Sequence, residues 1–292
     1  MYHTEMRNIL VTGAKGQLGS EIQANKDRKS NYIFTDADSL DITDKGAVQT
    51  FLMQNQIEVV VNCAAYTAVD KAEEEPEKAE LINYTAVKHL AEACKERKAT
   101  LIHISTDYVF GNTKQRPYRE TDETAPLGVY GFSKLAGEEA IQQINPRHII
   151  LRTSWLYSLC FGANFVKTIE RLSQERDEIK VVFDQVGTPT NAADLADFIV
   201  FLIESGQYEH KRELYHFSNE GVCSWYDFAV EIVRCIGSNC VVKPCLSKEF
   251  PSKVRRPSYS VLDKAKLKRD FDYIIPYWRD SFNKEKTRVP SN

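Results

Sequence analysis

Tyr130 and Lys134 stand four residues apart in Val129-Tyr130-Gly131-Phe132-Ser133-Lys134, the spacing that puts two side chains on one face of a helix. An unperturbed tyrosine hydroxyl titrates near ~10, too high for acid-base work at neutral pH. A lysine ammonium beside it favours the phenolate and lowers that value, so the pair reads as a proton-transfer device in which Tyr130 does the chemistry and Lys134 tunes it. Taken alone, the same spacing also describes an ordinary amphipathic helix start. The case for chemistry rests on the elements around it.

Residues 8–12 read as a buried strand that runs into the loop Gly13-Ala14-Lys15-Gly16-Gln17-Leu18-Gly19, with a helix following from Leu18. Strand, glycine loop and helix form the first half of a nucleotide-binding unit, because glycines let the backbone approach a pyrophosphate whose charge the helix N-terminus meets. Gly13, Gly16, Gln17, Leu18 and Gly19 are the cofactor residues expected here, although their spacing is G-x-x-G-x-x-G rather than the usual G-x-G-x-x-G. A second strand, 32–35, ends at Asp36, where an acidic group commonly meets the adenosine ribose and favours NADH. Lys15 pulls towards NADPH instead, and both cofactors stay open. Asp41, next to Ile42, reads either as an acceptor for the adenine amino group or as a turn or helix-capping aspartate.

A third strand, 57–62, delivers Cys63-Ala64-Ala65-Tyr66, small residues that would pass close beneath a bound cofactor. The acidic run Glu73-Glu74-Glu75-Pro76 reads as a solvated helix start. An amphipathic helix is expected over 77–97, and Asn83 within it needs a partner if buried. The fourth strand, 100–104, presents Ser105-Thr106-Asp107-Tyr108-Val109-Phe110-Gly111 at its carboxyl end, where ligands bind in a parallel sheet. A helix over 129–143 carries the opening pair, and a fifth strand, 148–153, closes on Ser154-Trp155. This alternation predicts an α/β fold, a Rossmann-type doubly wound parallel sheet with right-handed crossovers. Residues 7–157 form the nucleotide-binding domain, and 158–285 form mainly a smaller substrate-binding lobe, partly interleaved with it.

The 292 residues carry a net charge of −3 with 42% hydrophobic and 27% charged side chains. That balance gives no reason to expect nucleic acid or an anionic membrane as a partner. No apolar run reaches transmembrane length and the first residues lack a signal-peptide shape, so a cytoplasmic location is expected. The seven cysteines have no C-x-x-C pair, and together with the six histidines they make no zinc pattern. Reduced thiols and no metal are the expectation.

With Thr106 at the end of the fourth strand and Tyr130 and Lys134 on the helix beside it, the chain resembles the extended short-chain dehydrogenase/reductase family. Asn62-Cys63-Ala64-Ala65-Tyr66-Thr67-Ala68-Val69-Asp70, Ser105 to Phe110, Arg152-Thr153-Ser154-Trp155, Asp184 to Thr190 and Arg255-Arg256-Pro257 carry the same resemblance across nearly the whole chain. It implies hydride transfer from NADPH or NADH to the 4-keto group of a dTDP-linked 6-deoxy sugar. Tyr130 would give the proton, Thr106 a hydrogen bond to the same oxygen, and Lys134 would hold the nicotinamide ribose. It further implies that Val69, Asp70, Thr106, Asp107, Tyr108, Tyr130 and Trp155 line the substrate pocket, with Arg256 on the diphosphate. Core packing for Trp155 and a solvent-facing Arg256 are the plainer alternatives. Some members form homodimers around magnesium held by glutamates. Glu21 matches one such position, but the second falls near Ala193, beside Asp194, which puts that metal in doubt. An epimerase of the same family, or a non-catalytic regulatory subunit like that of methionine adenosyltransferase, are the competing readings.

Overall fold

The computed structural model describes residues 6–249 and 254–286. Its centre is a six-stranded parallel sheet of β1 (Asn8–Thr12), β2 (Asn31–Phe34), β3 (Val59–Asn62), β4 (Thr100–Thr106), β5 (Arg147–Thr153) and β10 (Arg212–His216). Their spatial order is β10-β5-β4-β3-β1-β2. The strand centres carry Val, Ile and Leu runs such as Ile9-Leu10-Val11, Val59-Val60-Val61 and Ile149-Ile150-Leu151, as strands covered on both faces require. Ile9, Val11, Val59, Val61 and Ile102 pack on one face beneath α1 (Gln17–Ala24) and α8 (Ala192–Glu204). Leu10, Val60, Leu101 and Ile150 pack on the other, beneath α2 (Lys45–Gln54), α5 (Ala86–Arg97) and α6 (Val129–Ile144). The doubly wound sheet expected from the alternation is therefore the observed architecture.

α8 and β10 come from the second half of the chain yet complete this sheet domain. Leu195, Phe198, Ile199, Leu202 and Ile203 of α8 are buried in the sheet core with Leu267 and Phe271 of α10 (Ala265–Phe271). Each such side chain contributes roughly 1.5–3 kcal/mol when removed from water. The smaller lobe has its own core of Tyr157, Val166, Ile169, Phe228, Ile232, Trp278 and Phe282. It is built from α7 (Phe165–Glu175), α9 (Trp225–Cys235), α11 (Trp278–Lys286) and the parallel pair β7 (Glu178–Val182) and β12 (Val241–Cys245). Two-residue strands join the parts: β6 (Leu156–Tyr157) pairs with β9 (Thr190–Asn191), and β8 (Val186–Gly187) with β11 (Cys223–Ser224).

The helix expected over 77–97 is interrupted. α4 (Pro76–Glu80), preceded by the short α3 (Val69–Ala72), gives way to a π-helical turn, Leu81–Thr85, before α5 begins. Such turns are rare and commonly accompany sites. Here the turn brings the Asn83 carbonyl against Gly137 of α6, where an added Cβ would lie 2.3 Å from that oxygen. The Asn83 side chain, buried, accepts from Tyr66 N at 2.9 Å and donates to Tyr66 O and Ser133 Oγ, each at 3.0 Å. Those bonds are the partners its burial demanded.

All seven cysteines are free thiols. Among the described residues, no helix is long and apolar enough to cross a membrane. Because α6 seats so closely on the π turn, Gly137→Ala is expected to cost about 1–3 kcal/mol through overpacking. A lower urea midpoint with an unchanged slope would show it; an unchanged midpoint would mean that the helix yields freely.

Candidate active site

The chain leaves β1 towards β2 on one side of the sheet, while β3 leads to β4 on the other. The carboxyl ends of β1 and β3 thus flank a topological switch point, where a crevice opens. Gly13 sits there with φ +66, and a Cβ on it would lie 2.6 Å from Ala64 N; one on Gly19 would lie 2.4 Å from the Gly13 carbonyl. Only bare backbone fits between the loop, Cys63-Ala64 and α1. Gly16 caps α1 without any side-chain bond, leaving the first-turn N–H groups for an anion. This cradle fits a dinucleotide pyrophosphate.

The other expected cofactor residues take distinct places. Leu18 is buried in the sheet core. Gln17 turns its side chain away from the loop, accepting from Ser158 N at 2.9 Å and Asn164 Nδ2 at 2.8 Å, and so ties the two lobes together. Lys15 bridges Asp36 at 2.7 Å and Asp38 at 2.9 Å, which holds the Asp36 carboxyl below its ordinary range. The Asp41 carboxylate accepts from the backbone and hydroxyl of Thr43, a local turn, while Ile42 is buried in the core. Burial pushes the Cys63 thiol up to about 12. Ala65 follows Ala64 into the segment that Asn83 clamps at Tyr66, whose hydroxyl donates to Glu75 at 2.8 Å.

β4 delivers its polar end beside α6. Thr106 Oγ1 donates to Asp107 Oδ1 at 3.1 Å and accepts from Tyr108 N at 3.2 Å. Thr106 stands close enough to Tyr130 to act on its hydroxyl, and the Tyr130 ring meets that of Tyr108 edge-on at 5.5 Å. Asp107 is buried, and the loss of solvent lifts its carboxyl to about 7 against hydrogen bonds from Ser260 and Thr106. Lys134 is 2% exposed; it donates to the Ile104 carbonyl at 2.6 Å and faces His103 Nε2 at 3.3 Å.

The expected tuning of Tyr130 needs correction. Burial raises its hydroxyl above the ordinary value, opposed by the Thr106 hydroxyl, and the same burial lowers Lys134 to about 8. The ammonium is aimed at the Ile104 carbonyl and His103, so desolvation outweighs any lowering of Tyr130 by Lys134.

On the substrate side, Arg256 donates to Asp70 at 3.1 Å, and both charges act on the Tyr108 hydroxyl. Val69 and Asp70 open α3. Trp155 adopts φ +49 and stacks on Trp225 at 3.6 Å, with Gly187 against its ring. Asp70, Tyr108 and Arg256 are thus brought together, while Trp155 stands against the smaller lobe.

Sequence reasoning missed two groups, and it missed the neighbours of a third residue, Glu21. Glu73, read as solvated, accepts from Val129 N at 2.8 Å and caps the helix that carries Tyr130. Glu138 accepts from Arg152 through two nitrogens, at 2.9 and 2.6 Å, and from Ser105. An arginine directly after the apolar run Ile149-Ile150-Leu151 of β5 was the available signal for that buried pair. Glu21 lies beside Cys160 and Glu285, with ligand atoms within 4.8 Å, so the carboxylate that joins it there comes from α11. Asp194 is engaged by Asn219 and Ser281. Two carboxylates and a thiol do not fit the octahedral oxygen set that magnesium requires.

The RmlD substrate binding domain model matches residues 6–288. The chain belongs to the RmlD family. It is 40% identical over 283 residues to the dTDP-4-dehydrorhamnose reductase of Salmonella typhimurium, covering 93% of this chain and 94% of that protein. The crystal structure of a dTDP-4-dehydrorhamnose reductase from Clostridium acetobutylicum matches with TM-score 0.91 at 44% identity, over 97% of this chain and 100% of that one. The Bacillus anthracis dTDP-4-dehydrorhamnose reductase, solved in complex with NADP, matches with TM-score 0.92 at 37% identity, over 98% and 100%. In this RmlD family chain, Glu73→Ala is expected to speed amide exchange at Val129, Tyr130 and Gly131 while the rest of α6 keeps its protection. Unchanged exchange at those three amides would deny Glu73 its capping role.

Proposed function

We propose that this chain reduces the 4-keto group of dTDP-4-dehydro-L-rhamnose, giving dTDP-L-rhamnose, with Tyr130 as the proton donor. The observation that most supports this is the convergence of Thr106, Tyr130 and Lys134 beside the glycine cradle. When bound, the nicotinamide cofactor supplies the hydride. The residues then answer the charge that develops on the sugar oxygen. Tyr130 gives its proton to that oxygen, a direction favoured by burial, which makes the phenolate costly until the oxygen demands a proton. Thr106, which accepts from the Tyr108 amide, turns the hydroxyl proton it otherwise gives to Asp107 towards the same atom. Lys134 offers its remaining N–H to the nicotinamide ribose. Asp70, Tyr108 and Arg256 bind the sugar nucleotide, with Val69 and Trp155 on either side.

NADPH is the proposed cofactor, with NADH as the lesser one. Lys15 is 73% exposed at the mouth of the cradle and already neutralises Asp36, so it can turn to a 2'-phosphate. The proposed location is the cytoplasm, with no nucleic acid or membrane partner, and the proposed assembly is a homodimer.

An epimerase would keep its cofactor and return the hydride, whereas a reductase oxidises one equivalent per turnover. Net oxidation of NADPH with the 4-keto sugar therefore tests the reading, and its absence would overturn it. A purely regulatory role would leave Tyr130 idle. Tyr130→Phe is expected to lower kcat by roughly 10²–10⁴-fold, and a variant as active as the parent would remove the proton-donor assignment. Lys15→Ala is expected to raise KM for NADPH by roughly tenfold with little change for NADH. Equal effects on both cofactors would show that Lys15 does not read the 2'-phosphate.

A further inference from the structure

Thr12, Asn62 and His103 are directly opposite one another on three adjacent strands, Thr12 paired with Asn62 and Asn62 with His103. Two residues earlier on each strand, and so on the same face, stand Leu10, Val60 and Leu101, all apolar. The polar row is sealed: Thr12 and Asn62 are 1% exposed and His103 is 0%. Its bonds run as one chain. Thr12 Oγ1 donates to Asn62 Oδ1 at 2.7 Å, Asn62 Nδ2 lies 3.1 Å from His103 Nδ1, and His103 Nε2 lies 3.3 Å from Lys134 Nζ.

We propose that Thr12, Asn62 and His103 form a two-setting relay that follows the protonation state of Lys134, with His103 as a positioning residue for the reaction. An ammonium has three donors and no acceptor. Facing it, His103 Nε2 must present a lone pair, so the ring proton sits on Nδ1. Asn62 then turns its oxygen to that N–H and its amide nitrogen to Thr12, whose hydroxyl accepts. When Lys134 is a neutral amine, the roles reverse. Nε2–H donates to the amine, Nδ1 accepts from Asn62 Nδ2, and Thr12 donates to Asn62 Oδ1, which is the arrangement of the bonds described above. The balance is one net proton lost by the Lys134–His103 pair: Lys134 goes from three N–H bonds to two, while the ring keeps a single proton that changes from Nδ1 to Nε2. A hydroxyl, a carboxamide and an imidazole are side chains that can reverse donor and acceptor. Both settings keep the four side chains bonded to one another, which matters because a contact broken inside so dry a row is costly.

The groups facing Lys134 leave it free to titrate. Cys63 from the β3 end stays a thiol, and Glu138 one turn along α6 is locked to Arg152 and Ser105. Tyr130 is held neutral by burial, which also lifts the Asp107 carboxyl beyond it. Lys134 is thus ammonium below about 8 and amine above it. His103 is itself pushed well below its ordinary value by burial and by Lys134, so its ring stays neutral in both settings.

The inference rests on Lys134 serving the reductase reading, but the spectroscopic part of its test needs no turnover. Nitrogen-15 spectra of the histidine rings of the full chain, titrated over roughly pH 6–10, report which nitrogen carries the proton; His103→Gln assigns the signal. The expected result is a crossover from Nδ1–H to Nε2–H with the ring neutral throughout, its midpoint coinciding with an inflection in kcat/KM. Asn62→Asp, which can only accept, should hold Nδ1–H at every pH and move that inflection up by about one unit. A single tautomer across the range in the parent overturns the relay, as does an inflection that Asn62→Asp leaves unmoved. If Asn62→Asp fails to fold, the titration of the parent alone decides. If the parent shows the crossover but turns over no 4-keto sugar, the reductase reading fails and the relay stands.

Discussion

The bond from Lys134 Nζ to the Ile104 carbonyl, 2.6 Å long and sealed from water, sets the terms for the surrounding structure. A buried ammonium costs several kcal/mol unless its donors are met. Meeting them requires α6 to lie almost in contact with the end of β4, and the sequence removes whatever would hold it off. Gly131 lets the helix pass the Tyr108 carbonyl, and Gly137 lets it pass the carbonyl of Asn83. The π turn then supplies Asn83 to bind the Tyr66 backbone, so the same close approach that satisfies the lysine also fixes a wall of the cofactor crevice.

The anchoring extends outward in both directions along α6. Its first turn is held by Glu73, which follows the α3 segment that presents Val69 and Asp70, and its third by the Glu138–Arg152 pair, which reaches β5. Buried ion pairs are weak sources of net stability but expensive to break. That asymmetry suits a helix whose register matters more than its affinity for the sheet. Tyr130 is thereby positioned from β4, β5, the π turn and the segment after α3, not by its own loop.

Periodicity made the sheet legible, because runs such as Ile9-Leu10-Val11 and Val59-Val60-Val61 followed by turn residues have few other interpretations. The glycine cradle and the Thr106, Tyr130, Lys134 set were legible for a similar reason, as each is local in sequence or lies at a strand end. What stayed hidden depends on register between distant strands. Nothing in the sequence around His103 says that Asn62 and Thr12 lie level with it, and Glu73 looks solvated until Val129 is seen above it. The Lys134 effect on Tyr130 was misjudged because sequence shows which charges are near but not where an ammonium points or how dry its surroundings are.

The interleaving of α8 and β10 with the sheet bears on how the protein is made. A nascent chain that has left the ribosome only as far as β5 has an unpaired sheet edge along Arg147–Thr153, and the face of α1 meant for α8 is bare. Open strand edges with apolar flanks invite pairing with other chains. The nucleotide-binding half therefore cannot mature ahead of the rest during synthesis, and its protection from aggregation must last until residues well beyond the first lobe have been translated.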